Sequence, residues 1–263
     1  MGPPLNLKSA EEAAAVILNG GTDLEMGTTI FNSSMLSAVS KGLATEETVT
    51  AAARRNLLQR FRQGDFDPVQ DVAWSSIPAS VVNSSEHQDI AFEAALQAVV
   101  LLKNSDNFLP LKAGTRIAVV GPGALAQKGL VGPYFGDALC YAPEETRKTY
   151  TYDCIPTIGA EIAAANVGGN TSVVEGIQVT GFDASKVQAA VDAAQSAEAI
   201  VLTIGIDHSV ETEGHDAPNT SLPGLQESFA KKILELGKPT VLVLLGDDGI
   251  GIDNLVDSSS AIL

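Results

Sequence analysis

The chain has 263 residues, enough for one large domain or two ordinary ones, and 45% of them are hydrophobic, which excludes wholesale disorder. A formal net charge of −16 argues against nucleic acid as a partner, because phosphate binding needs clustered Lys and Arg. No run of about eighteen apolar residues occurs, so no membrane-spanning helix is expected and no membrane partner is implied.

Residues 9 to 66 read as helical with one turn-rich interruption. Ser9 followed by Glu11 and Glu12 marks a helix start with acid in its first turn, and Gly20-Gly21 breaks that helix. Thr45-Glu46-Glu47 starts a second helix that runs to Phe61 and stops at Gly64. Pro68, Pro78 and several serines make 65–86 a linker or wrapping loop. A helix is expected over Ile90–Leu102, then a buried parallel strand over Arg116–Gly121. The Gly-, Pro- and Tyr-rich residues 122–155 read as long loops. Further expected elements are a short helix from Pro156 to Ala165, strand character at Val173-Val174 and Ile177–Val179, and a helix from Ala184 to Ala197. A firm strand over Ala199–Thr203, a helix from Pro223 to Leu236 and a firm strand over Thr240–Leu245 complete the pattern. Strands alternating with helices predict an α/β fold with a mostly parallel, doubly wound sheet.

The firm strand at Ala199–Thr203 leads into Ile204–Asp216, a polar loop at the strand's carboxyl end that carries Glu211 and Glu213, with His208, His215 and Asp216 beside them. Open α/β sheets bind ligands at that edge. Residues i and i+2 of extended chain point the same way, so two such carboxylates can share a site, where repulsion and burial raise one pKa as a general acid requires. The bland alternative is a solvated acidic loop.

Several motifs, in order, carry a resemblance to glycoside hydrolase family 3, in its β-xylosidase and β-glucosidase branch. Ala13–Met26, with Gly21-Thr22-Asp23-Leu24-Glu25-Met26, resembles the "AGxDxxM" segment near the end of the family's barrel domain. Arg60–Asp67 resembles "RFRLGxFD" at the exit from the barrel. Val99–Asn104 with Leu109-Pro110-Leu111 is similar to "VLLKN…LPL". Arg116–Pro122 resembles "xIAVIGP". Gly205–Asp216 with Leu222–Gln226 resembles "GxDxxxExEGxDR…LPGxQ".

The resemblance implies a barrel remnant over 1–67, a linker over 68–88 and an αβα sandwich over 89–263. The expected fold is thus an incomplete doubly wound αβα sandwich preceded by helical remnants of a (β/α)8-like barrel. It implies a retaining exo-β-glycosidase lineage acting on β-linked xylosides or glucosides, with no cofactor. In such enzymes a barrel Asp is the nucleophile and a sandwich Glu the acid/base, roughly 5–5.5 Å apart. Carried over, the acid/base falls on Glu213 or Glu211. Glu213 is preferred through the Glu-Gly-x-Asp match with Gly214 and Asp216, and His215, Asp216 and His208 become substrate-contact candidates.

The chain also departs from the family. The nucleophile motif, Ser-Asp before Trp or Cys, belongs upstream of Asp23, the first Asp in the chain. Ala217 stands where the loop's Arg is usual, and Gly246-Asp247-Asp248-Gly249 replaces a glycine run. Most of the barrel and the end of the sandwich are expected to lie outside these residues, leaving the chain inactive alone and its barrel-facing surface open to association. A non-catalytic sandwich binding carbohydrate or protein is the alternative.

Gly121-Pro122-Gly123 lacks the spacing of a phosphate loop, and the three histidines lack metal-site spacing. Cys140 and Cys154 could close a short loop or remain unpaired thiols. Sequons at Asn32, Asn83, Asn170 and Asn219 lean towards secretion of the full-length parent, although the amino terminus shows no signal region.

Overall fold

A computed structural model describes residues 7–131, 152–246 and 248–263. The chain divides into two compact units, one ending at Phe92 and one beginning at Glu93.

The first unit is built on α1 (Ala10–Asn19), α2 (Ile30–Ser40) and α3 (Glu46–Gln63). Ser9 caps α1, its Oγ accepting from the Glu12 amide at 3.2 Å. Gly64 ends α3 in the left-handed region at φ 80, and Thr45 caps its start. Helix α2 was absent from the sequence expectation. Its amino terminus is closed by a carboxylate from outside the helix: Glu25 accepts from the Ile30 and Phe31 amides at 2.6 and 2.7 Å, and from the Thr28 hydroxyl. Ala15, Leu18, Ala38, Ala44 and Ala52 form the small core of these helices. Asp23, in the Gly-Thr-Asp segment, takes a bidentate pair from Arg55 at 2.6–3.0 Å, which holds its carboxyl below the usual range. Leu57, Leu58 and Phe61 of α3 are exposed. Short 3-10 turns fill much of 69–81.

Carboxylates stitch this unit together, and that fixes the sign of its response to acid. Glu11 accepts from Lys41 at 2.6 Å and from Ser37 at 3.1 Å, and these partners, Lys41 first, lower its pKa from 4.5 to about 2. A carboxyl whose pKa is lower folded than unfolded contributes stability above its unfolded value and loses it as pH falls through the folded value. Far-ultraviolet circular dichroism is therefore expected to show the helices of this unit loosening between about pH 4.5 and about pH 2. The effect is modest because the groups are solvent-screened. A flat signal through that window contradicts the assignment.

The second unit holds a six-stranded sheet. Its elements are α4 (Ser85–Ala98, which begins in the first unit), β1 (Lys103–Asn104), β2 (Arg116–Val120), α5 (Ile158–Ala165), β3 (Asn170–Val174), α6 (Val187–Ser196), β4 (Ala199–Gly205), α7 (Gln226–Leu234), β5 (Thr240–Leu245) and β6 (Ala261–Ile262). The strand order is β1-β6-β5-β4-β2-β3, all neighbours parallel except β1 against β6. Alternate residues of the strands face opposite layers. Ala118, Val120, Ile200, Leu202 and Leu242 pack on α6 and α7 through Ala190, Ala194, Phe229 and Ile233. Ile117, Val119 and Val201 pack on the α5 side against Ile158 and Ile162. Every residue of β4 is buried, as a central parallel strand between two helical layers must be. This is the doubly wound αβα sandwich expected from the alternation of strands and helices.

Two expected elements need correction. The helix read over Ile90–Leu102 spans Ser85–Ala98 instead; past Val99 and Val100 the chain extends, and the Leu102 amide donates to Ile262 O at 2.8 Å beside the β1–β6 pair. Ile177–Val179 is not a strand: Gly176, at φ 74, turns the chain out of β3, and Ile177 is buried as a core plug. Of the two cysteines, Cys154 is disulfide-bonded, and Cys140 lies outside the described residues.

Candidate active site

The chain reverses its direction of travel across the sheet at β2: β3 lies on one side of it and β4 on the other. Such a switch point opens a crevice at the carboxyl ends of the strands, and the loop after β4 leaves the sheet there. Gly129, on the segment after β2, comes close to Asp207: a Cβ at Gly129 would lie 3.5 Å from the Asp207 Cβ.

The loop is ordered by its own hydrogen bonds. Asp207 Oδ1 accepts from the Ser209 amide at 2.9 Å and from its hydroxyl at 2.5 Å. Asp207 O accepts from the Val210 and Glu211 amides at 2.9 and 3.2 Å. Thr212 and His215 then exchange backbone hydrogen bonds at 2.9 and 3.0 Å, closing a hairpin with Glu213 and Gly214 at its tip. Gly214 has φ 79, a conformation that suits the second central residue of such a turn.

This hairpin separates the two carboxylates. Glu211 is half-buried, turns its Oε2 away from solvent, and lines a cleft of about 280 Å³. Glu213, His215 and Asp216 are exposed and do not line that cleft; His208 is half-buried on the loop but outside the cleft wall. The cleft's remaining walls are Ile206 and Val210 from the same loop, Ala217–Pro223 from the following segment, and Gly249 and Ile250 from the segment after β5. Asn219, Thr220 and Ser221 give it a polar side; the sequence reading took Asn219 only as a glycosylation sequon and did not assign Thr220 or Ser221 to a site.

Pocket walls of this kind bring one carboxyl group, amide and hydroxyl side chains and an apolar floor to a sheet edge. That arrangement suits a polyol ligand and proton transfer to one of its oxygens. Gly121 and Gly123 have a packing role. A Cβ at Gly121 would stand 2.0 Å from Thr203 O, and one at Gly123 would stand 2.4 Å from the Leu245 side chain. These glycines let the turn after β2 lie against β4 and β5. Among the described residues no group of three His, Cys, Asp or Glu is placed to hold a metal.

Residues 99–263 match the family model for the glycosyl hydrolase family 3 C-terminal domain. The chain belongs to glycosyl hydrolase family 3. It is 34% identical over 251 residues to a probable exo-1,4-beta-xylosidase of Neosartorya fischeri, covering 95% of this chain and 30% of that protein. Among solved structures it is similar to a family 3 exo-beta-xylosidase in complex with a xylobiose aziridine probe, with TM-score 0.70 and 29% identity over 97% of this chain and 31% of that one. A Listeria innocua beta-glucosidase in complex with glucose matches with TM-score 0.69 and 25% identity, over 98% of this chain and 33% of that one. The chain therefore spans about a third of the length of these three proteins.

Proposed function

We propose that this chain forms the sandwich part of a retaining exo-β-glycosidase acting on β-xylosides or β-glucosides, and that Glu211 is its acid/base. The observation that carries the reading is the position of Glu211, half-buried in the wall of a cleft at the carboxyl edge of the sheet. A general acid must be held within hydrogen-bond reach of the leaving oxygen and away from bulk water; Glu211 lines the cleft and is half-buried, whereas Glu213 at the hairpin tip is exposed and outside it, which supports Glu211. This favours the second of the two residues weighed from sequence.

In the proposed reaction the Glu211 carboxylic acid gives its proton to the glycosidic oxygen as the carbon–oxygen bond breaks. A nucleophilic carboxylate from outside these 263 residues forms the glycosyl–enzyme bond. Glu211, now a carboxylate, then takes a proton from water as that water attacks the anomeric carbon and releases the nucleophile. Asn219, Thr220 and Ser221 contact hydroxyls of the sugar or leaving group, and His208, His215 and Asp216 contribute from the loop. The sequons, together with a disulfide at Cys154, support passage through an oxidising secretory compartment. A non-catalytic carbohydrate- or protein-binding domain is the second reading, favoured by the cleft lining of Asn219, Thr220 and Ser221, which can bind sugar hydroxyls without any proton transfer.

Hydrolysis of nitrophenyl β-xyloside and β-glucoside separates the two. The chain alone is expected to give no turnover. Turnover is expected to appear when the chain is joined to the part of the Neosartorya fischeri relative that precedes the matched region. Turnover by the chain alone contradicts an external nucleophile. Sugar binding without turnover in the joined protein supports the second reading.

A further inference from the structure

Gln226 opens α7 and has no exposed surface. Its side-chain amide makes three hydrogen bonds, all to backbone. Oε1 accepts from the Gly205 amide at 2.7 Å, while Nε2 donates to Gly205 O at 2.6 Å and to Val179 O at 2.8 Å. Both donors and the acceptor of the amide are thus occupied. The Gly205 peptide lies at the end of β4, beyond the last β2–β4 pair at Val120 and Leu202, where the sheet offers no partner on that side, and Val179 lies on the segment between β3 and α6.

Gly205 is held on the other side too. It has φ 144 and lies so close to β5 that a Cβ would stand 1.8 Å from Leu245 O. The Ile206 amide donates to that same oxygen at 2.8 Å. The next residue is Asp207, whose carbonyl accepts from the Val210 and Glu211 amides. Hydrogen bonds therefore hold successive points of the chain between Gly205 and Glu211: Gly205 to Gln226, Ile206 to Leu245, and Asp207 to Glu211.

We infer that Gln226 is a positioning residue: its buried amide clamps the Gly205 peptide and so fixes the stem of the loop that carries Glu211. It lines no part of the cleft. The inference rests on Glu211 as the acid/base, but its test reads the loop and not turnover, so a failure of the catalytic assignment shows up separately.

The experiment is amide hydrogen exchange by NMR on the 263-residue chain, with the carbon-13 resonance of the Glu211 carboxyl as a second signal. Gln226→Met keeps the volume and removes all three hydrogen bonds. Exchange at Gly205–Glu211 is expected to speed up about tenfold, with under about twofold change at Ile200–Leu202, and the Glu211 resonance is expected to move. Unchanged exchange across the loop, or an equal rise throughout β4 with a stationary Glu211 resonance, overturns the inference, since the second pattern is only a loss of overall stability. If Gln226→Met does not fold, the wild-type chain decides. A Gly205 amide protected at least about tenfold more than that of Gly214 supports the clamp, and equal exchange of the two sinks it.

Discussion

Glu211→Gln, in the chain joined to the remainder of a family 3 enzyme, is expected to lower kcat on xylobiose by about 10²–10⁴-fold, the usual contribution of a positioned general acid. Glu213→Gln is expected to stay within about threefold of the parent, as a substitution at an exposed turn does. The difference follows from where the backbone puts each residue. The two lie only two positions apart, but the hairpin closed by Thr212 and His215 carries Glu213 to its tip. Glu211 stays in the cleft wall beside Val210 and Pro223. Equal losses for the two variants would mean that both carboxylates reach the leaving oxygen and that the cleft does not select between them.

Gly205→Ala is expected to destabilise the second unit by about 2–4 kcal/mol, read as a lowered midpoint in urea. Two independent penalties converge there. The backbone sits at φ 144, which side-chain-bearing residues rarely adopt, and the added methyl meets the Leu245 backbone at 1.8 Å. Relief by movement of β5 would break the Gly205–Leu245 register that closes the β4–β5 ladder. An alanine variant as stable as the parent would show that the end of β4 is free to shift. The clamp drawn from Gln226 would then lose its anvil.

Much of this was legible in the sequence, and the boundary is physical. Strands β2, β4 and β5 are continuous apolar runs because they are covered on both faces, so they stand out without any partner being known. Strands β1 and β6 have two residues each and exist only because they pair with each other across more than half the chain and β6 with β5, a relation that local pattern does not encode. Helix α2 was missed because its cap comes from Glu25, five residues before Ile30, and four of its first eight residues are serine or asparagine, which read as loop. The candidate loop was legible as a place. Which of Glu211 and Glu213 lines a cleft was not, because the motif Glu-Gly-x-Asp aligns equally well whether its Glu faces a cleft or a turn tip. Gln226 was visible as the last letter of a motif. Its meaning required seeing that a side-chain amide completes the hydrogen bonding of a strand end twenty-one residues earlier.

Delivery of a proton by Glu211 to a leaving sugar oxygen is the step on which the proposed reaction turns. Its most direct test compares two substrates in the joined Glu211→Gln protein: xylobiose, whose leaving group needs that proton, and a dinitrophenyl β-xyloside, whose leaving group does not. The expected result is a loss of about 10²–10⁴-fold on xylobiose with the first chemical step on the dinitrophenyl glycoside within about tenfold of the parent. An equal loss on both substrates, or the same contrast appearing in Glu213→Gln instead, would contradict it.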